Sequence, residues 1–155
     1  MLQILPLAAR PHSIPRLAAW HFGEWGKLNP TNDVAARSIK LQQHLQQHAI
    51  PTTFVAVEGA ELLGSAALVE QDLDLRPEYT PWLASVFVAP QHRARGIGRQ
   101  LVQRVMAEAK AQHVTKLYLF TFHHERFYAS LGWQHLENAI YRGEPITIMT
   151  WNPAS

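Results

Sequence analysis

The 155-residue chain contains no cysteine. Disulfide scaffolds, thiolate metal sites and cysteine nucleophiles are therefore closed to it. No apolar run approaches the ~18 residues that a membrane-spanning helix needs, so no membrane partner is expected. Net charge is also scarce. Fourteen Lys and Arg against twelve Asp and Glu leave +2 with nine His neutral, too mild a balance to point to nucleic acid. The first residues, Met1-Leu2-Gln3-Ile4-Leu5-Pro6-Leu7, carry no basic stretch and meet Pro6 and Arg10 early, so no secretory leader is expected. What the chain does have is apolar material: 47% hydrophobic residues, including five Trp, six Phe and four Tyr. That is enough for one sizeable core, and the length suits a single domain over residues 1–155. A soluble, cytoplasmic globular protein is the expectation.

The small net charge hides two opposed segments. Glu58, Glu61, Glu70, Asp72, Asp74 and Glu78 are six of the twelve acids, with only Arg76 among them. Arg93, Arg95, Arg99, Arg104 and Lys110 are five of the fourteen bases, with only Glu108 among them. Such runs suit solvated surface, but they also suit one segment that receives an anion and another that receives a cation.

Local patterns order the chain as β, α, α, three strands, then α, β, α, β, β. Leu2 to Leu7 suits a first strand, on an edge because of Pro6. Ser13 can cap a helix to about Trp25, and a turn and cap at Asn29-Pro30-Thr31-Asn32 precedes a second helix from about Asp33 to His48. Strands at 52–57 and 62–73 flank a hairpin turn at Glu58-Gly59-Ala60-Glu61. Trp82 to Val88 is nearly all apolar, as a central strand buried on both faces would be. A helix over about 98–112 carries Leu101, Val102, Val105, Met106 and Ala109 at helical spacing. Lys116 to Phe122 is another buried strand, a short helix at 125–130 ends near Gly132, and strands at 133–136 and 146–151 close the order. The fold class is α/β with a mixed sheet.

The stretch with most chemistry is Val86-Phe87-Val88-Ala89-Pro90-Gln91-His92-Arg93-Ala94-Arg95-Gly96-Ile97-Gly98-Arg99-Gln100-Leu101. A buried strand runs into a glycine-bearing turn that opens an amphipathic helix. The first N–H groups of a helix have no intrahelical partners, so with the dipole they suit an anion, most often phosphate. Gly96 and Gly98 let backbone approach a ligand closely, and the three arginines can pair with phosphate oxygens. A Walker loop is excluded because Arg99-Gln100 follows Gly98 instead of Lys-Ser/Thr. The dinucleotide pattern needs three glycines early in a fold; here two come late. An ordinary strand–turn–helix corner with surface arginines also fits these residues.

Val88-Ala89-Pro90 followed by Arg93-x-x-Gly96-x-Gly98 resembles the acyl-CoA pyrophosphate loop of the GNAT superfamily of N-acyltransferases. Lys116-Leu117-Tyr118-Leu119-Phe120-Thr121 looks like that family's fifth strand. Arg126-Phe127-Tyr128-Ala129-Ser130-Leu131-Gly132-Trp133 looks like its Phe-Tyr-x-x-x-Gly-Phe segment, with Trp for the last Phe. The resemblance covers 62–151 strongly and the first helices in outline.

The resemblance implies a single-domain GNAT-like fold, with a mixed, mostly antiparallel sheet whose fourth and fifth strands splay apart. It implies acetyl-CoA as co-substrate, held by the backbone of Val86, Phe87 and Val88 and by the loop Arg93, Ala94, Arg95, Gly96, Ile97, Gly98 and Arg99. It implies direct attack of an amine on the acetyl carbonyl, and Tyr128 occupies the position of the acid that protonates the leaving thiolate. The base stays open. Many relatives have a Glu in the fourth strand where this chain has Leu83-Ala84-Ser85. Ser85 could hold a water or support the oxyanion, and Asp74 is a candidate base. Asp72 and Glu78 suit steering of a cationic amine, and Trp25 and Trp82 suit the border of the acceptor site. His123 and His124 stand where many relatives place an Asn against the cofactor. His44 and His48, four apart on a helix, lack a third ligand nearby; surface histidines and no metal are expected. A homodimer is consistent with the family, although no segment marks an interface. A catalytically silent acyl-CoA sensor is the alternative function that the missing strand-four Glu allows.

Overall fold

The computed structural model describes residues 1–28 and 33–153. The expected turn at Asn29-Pro30-Thr31-Asn32 lies outside them. One seven-stranded mixed sheet forms the centre, in the order β1-β2-β3-β4-β5-β7-β6. The strands are β1 (Leu2–Pro6), β2 (Thr52–Glu58), β3 (Glu61–Val69), β4 (Trp82–Val88), β5 (Leu117–Thr121), β6 (Gln134–Tyr141) and β7 (Glu144–Trp151). The helices are α1 (Ile14–Trp25), α2 (Val34–Gln43), α3 (Ile97–Ala111) and α4 (Glu125–Ala129). Among the described residues no helix is long and apolar enough to cross a membrane.

Strand β2 shows how the sheet is covered on both faces. Phe54 and Ala56 point to the cluster beneath α3, whereas Val55 and Val57 point to the cluster beneath α1 and α2. Period-two alternation with both faces buried explains its continuous apolar sequence. Helix α3 presses Ile97, Leu101, Val102, Val105 and Ala109 onto the sheet, each at most 1% exposed. Burying each of its large aliphatic side chains contributes about 1.5–3 kcal/mol. A third cluster, around Trp82, Tyr118 and Ile148, fills the region beside β5 and β7.

Every pairing is antiparallel except β4 with β5, which is parallel and registers at the single pair Trp82↔Tyr118. Past that pair the two strands splay apart. On its other side β4 pairs with β3 as Ala67↔Ala84 and then Ser65↔Phe87, so β4 gains one residue at Ser85-Val86. This is a β-bulge, and Ser85 sits in the left-handed region at φ +55°.

Several boundaries differ from the pattern-based expectation for identifiable reasons. Ser13 precedes α1 in helical backbone with no capping hydrogen bond, because Pro11 has already opened a turn of 3-10 helix there. Asp33 takes the capping role at α2, accepting from Ala36 N–H at 2.7 Å. Helix α2 ends at Gln43 rather than His48, and His44 turns inward. Strand β3 stops at Val69 rather than Leu73. Strand β6 runs on to Tyr141 because Arg142 and Gly143, at φ +50° and +84°, make a two-residue turn whose twist suits longer strands.

Candidate active site

The site lies where the splay opens. A cavity of about 380 Å³ is walled by α1 and α2 on one side and by β4, β5 and α4 on the other. Ser85 and Val86 of the bulge face it, as do Trp25, Asp72 and Tyr128.

Beyond the C-terminal end of β4, the loop to α3 leaves its backbone open. Gly96 precedes α3 at φ +79°, and a Cβ placed on it would meet nothing within 4 Å. That φ favours glycine, and the open space leaves room for a ligand. No side chain caps α3, so the first amides of this 15-residue helix keep their capacity for an acceptor. Ala94 shares the left-handed conformation at φ +65°. Gly64 of β3 serves close approach: a Cβ there would run into the Phe87 carbonyl oxygen.

The arginines of the loop are partly engaged. Arg93 Nε donates to the Val88 carbonyl at 2.9 Å, Arg95 pairs with Glu58 at 3.1 Å, and Arg99 reaches Ser130 Oγ at 3.4 Å. His92 contacts Glu61 at 2.8 Å. The acidic stretch is thus not one patch. Its first two members lie against the basic loop, Asp74 is paired with Arg142 at 3.5 Å outside the cavity, and Glu78 is exposed outside it. Asp72 alone of the six lines the cavity.

Asp72 is half-buried and makes no side-chain hydrogen bond or ion pair to the described residues. Desolvation pushes its carboxyl up to about 7, against the opposing pull of Arg37 and Lys40. Tyr128 is 8% exposed. Burial pushes its phenol up to about 12, and its hydroxyl has no partner among the described residues. Both groups are therefore poised at the cavity with unused proton-transfer capacity.

Trp25 borders the cavity and packs near Phe87 at 6.2 Å between ring centroids. Trp82 does not border it; fully buried, it donates from Nε1 to the Tyr79 carbonyl at 2.6 Å. His123 and His124 are exposed at the rim. His44 is buried, contrary to the surface expectation, with Nδ1 2.8 Å from Thr53 Oγ1, whereas His48 is exposed. No group of three or more His, Asp or Glu among the described residues could hold a metal.

Two residues of the site carry no sequence signal. His21 of α1 and Arg37 of α2 meet beside the bulge, both lining the cavity, with Arg37 Nε donating to His21 Nδ1 at 3.1 Å and Nη2 to Ser85 Oγ at 2.9 Å. Their partners lie 16 to 48 residues away, beyond any local pattern.

The acetyltransferase (GNAT) family model matches residues 14–133, which take in both helices at the cavity, the bulged strand, the loop and Tyr128. The chain belongs to the GNAT acetyltransferase family. Solved structures of that fold superpose over nearly its whole length. An N-acetyltransferase from Staphylococcus aureus Mu50 matches with TM-score 0.76 and 17% identity, covering 99% of each chain. The yncA protein of Salmonella typhimurium, solved with its cofactor acetyl-CoA, matches with TM-score 0.75 and 20% identity over 99% of this chain and 94% of that one. An aminoglycoside 6'-N-acetyltransferase complexed with coenzyme A matches with TM-score 0.71 and 16% identity over 92% of each. At these identities the likeness is one of fold. Curated proteins show no significant match.

Proposed function

We propose that this GNAT acetyltransferase moves the acetyl group of acetyl-CoA directly to the primary amine of a small molecule or peptide. The observation that carries the proposal is the opening between β4 and β5, which register at one pair only and part at the cavity faced by Asp72 and Tyr128. An extended pantetheine arm suits such an opening as an added strand, bonding the backbone of Val86, Phe87 and Val88. The uncapped start of α3 and the arginines of its loop suit the pyrophosphate. Bound there, acetyl-CoA supplies an activated acyl carbon. An N–H of the β4 run would stabilise charge on its carbonyl oxygen.

The remaining work falls to the chain's own carboxylate and phenol. An amine of lysine type sits near ~10.4 and arrives protonated. Asp72, raised to about 7, would take that proton and free the lone pair for attack. Asp74 and Glu78 suit this role less, since neither faces the cavity. Tyr128 stays protonated throughout the neutral range because its phenol is held near 12. Full transfer to a thiolate of ordinary thiol pKa, about 8.5, would be uphill by ~5 kcal/mol. Tyr128 would therefore hydrogen-bond the leaving sulfur and pass its proton on as the new ammonium nitrogen gives one up.

The test is release of coenzyme A thiol from acetyl-CoA with a panel of polyamines, aminoglycosides and lysine-bearing peptides. Turnover with at least one amine is expected. Tight coenzyme A binding without turnover on any amine would make the chain an acyl-CoA sensor.

A further inference from the structure

We infer that His21, Arg37 and Ser65 act as a positioning clamp that holds the Ser85 bulge of β4 in the alignment acyl transfer requires. Its catalytic consequence rests on the proposed function, but the clamp itself consists of hydrogen bonds within the fold.

Four hydrogen bonds close a ring. Arg37 Nη2 donates to Ser85 Oγ at 2.9 Å, and Arg37 Nε donates to His21 Nδ1 at 3.1 Å. His21 Nε2 lies 2.9 Å from Ser65 Oγ, and Ser65 Oγ donates to the Ser85 carbonyl at 3.1 Å. Arginine can only donate, so His21 Nδ1 must accept and its Nε2 must carry the hydrogen. Ser65 then accepts from His21 and passes its own hydrogen to Ser85. Every proton in the ring has one direction. Burial, with Arg37 and His44 adding to it, pushes the His21 imidazole down to about 3, so the neutral form that this pattern needs is the form present.

The ring grips one residue twice, by its side chain and by its carbonyl. That residue is the one that needs gripping. Ser85 holds a left-handed backbone at φ +55°, a conformation disfavoured for any residue with a Cβ. Its stretch has no register partner on β3 between Ala84 and Phe87, and on the other side lies the splay. Left to the sheet alone, Ser85 and Val86 would lack the pairing that holds Leu83 and Ala84, yet all four face the cavity. The clamp ties them to α1 and α2 instead, so the helices that wall the acceptor side also set the backbone on the acyl side.

Ser65 makes the role testable because it is fully buried and does not line the cavity. Ser65→Ala removes two of the ring's bonds without touching any ligand. The expected result is a fall in kcat of about tenfold, with the acceptor KM and the coenzyme A Kd within twofold of wild type. Amide exchange at Ser85 and Val86 should quicken by a similar factor, while exchange in α3 stays unchanged. Should Ser65→Ala fail to fold, Arg37→Lys is read by amide exchange at Ser85 and Val86 alone, since Arg37 lines the cavity and lysine keeps the charge but lacks the fork that serves His21 and Ser85 together. Unchanged kcat, or unchanged exchange at Ser85 and Val86, overturns the clamp. If the wild-type chain turns over no amine, the proposed function fails on its own, and exchange at the bulge still decides the clamp.

Discussion

Replacing Asp72 with Asn should cost activity and add stability, with the second effect confined to one side of a pH window. The carboxyl has an ordinary value of 3.8 and is raised to about 7 in the folded chain. The folded state therefore holds a proton that the unfolded state gives up between about pH 4 and pH 7, and the contribution of Asp72 to stability falls as pH rises through that window. Above pH 7 the full penalty is present. The shift corresponds to a ceiling of ~4 kcal/mol, and the cavity's openness to solvent should halve it to about 2 kcal/mol. For a chain of this size that equals a melting temperature about 4–8 °C higher for Asp72→Asn at pH 8.5. Below pH 4 the two proteins should melt together, because wild-type Asp72 is then protonated both folded and unfolded. In turnover assays the same variant should lose about 10²–10⁴-fold in kcat/KM at pH 7.5. Thermal melts of both proteins at pH 3.5, 6 and 8.5, paired with thiol-release assays, check both halves. Equal melting temperatures at pH 8.5 would refute the desolvated carboxylate, and activity within threefold of wild type would refute its role as base.

Three further outcomes follow from the site. Tyr128→Phe should lower kcat by about 10²-fold while coenzyme A affinity, measured by calorimetry, stays within threefold; unchanged turnover would remove the phenol from the proton path. Gly96→Asp should abolish measurable coenzyme A binding, since it puts a side chain at φ +79° and a negative charge at the open loop. Acid should unfold the chain through its buried imidazoles. His21 and His44, lowered to about 3 and about 4, must stay neutral to fold, so stability is lost as pH falls below their ordinary 6.5; His44→Asn should flatten that loss in melts between pH 6.5 and 4.

Much of the frame was legible because it is local. Strand β4 declared itself at its observed limits as an apolar run, and α3 through the spacing of Leu101, Val102 and Val105. The glycine loop and the Phe127-Tyr128 segment pointed to the family because each motif fits within a few consecutive residues. What stayed hidden depends on distant pairing. The acids of 58–78 form one cluster along the chain, but hairpin geometry sends Glu58 and Glu61 back against Arg95 and His92 while the loop after β3 carries Asp72 alone into the cavity. His44 looks like a surface residue until α2 ends early and turns it onto Thr53. The ring of His21, Arg37, Ser65 and Ser85 joins four separate elements, and none of its members differs in sequence from an ordinary surface or core residue.

A seven-stranded sheet ordinarily has two borders, but this one has a third inside itself. Where β4 and β5 part beyond Trp82 and Tyr118, backbone groups that a closed sheet would pair are left facing a slot within the fold. An outer border invites any strand from solution, which is the route to aggregation. A border inside the fold would admit only a ligand thin enough to thread between two layers of side chains and polar enough to complete the ladder. On the proposed reading, occupying the slot would finish the sheet. The chain's melting point should therefore rise with the logarithm of that ligand's concentration, which makes the small molecule, while it stays bound, a structural member of the protein.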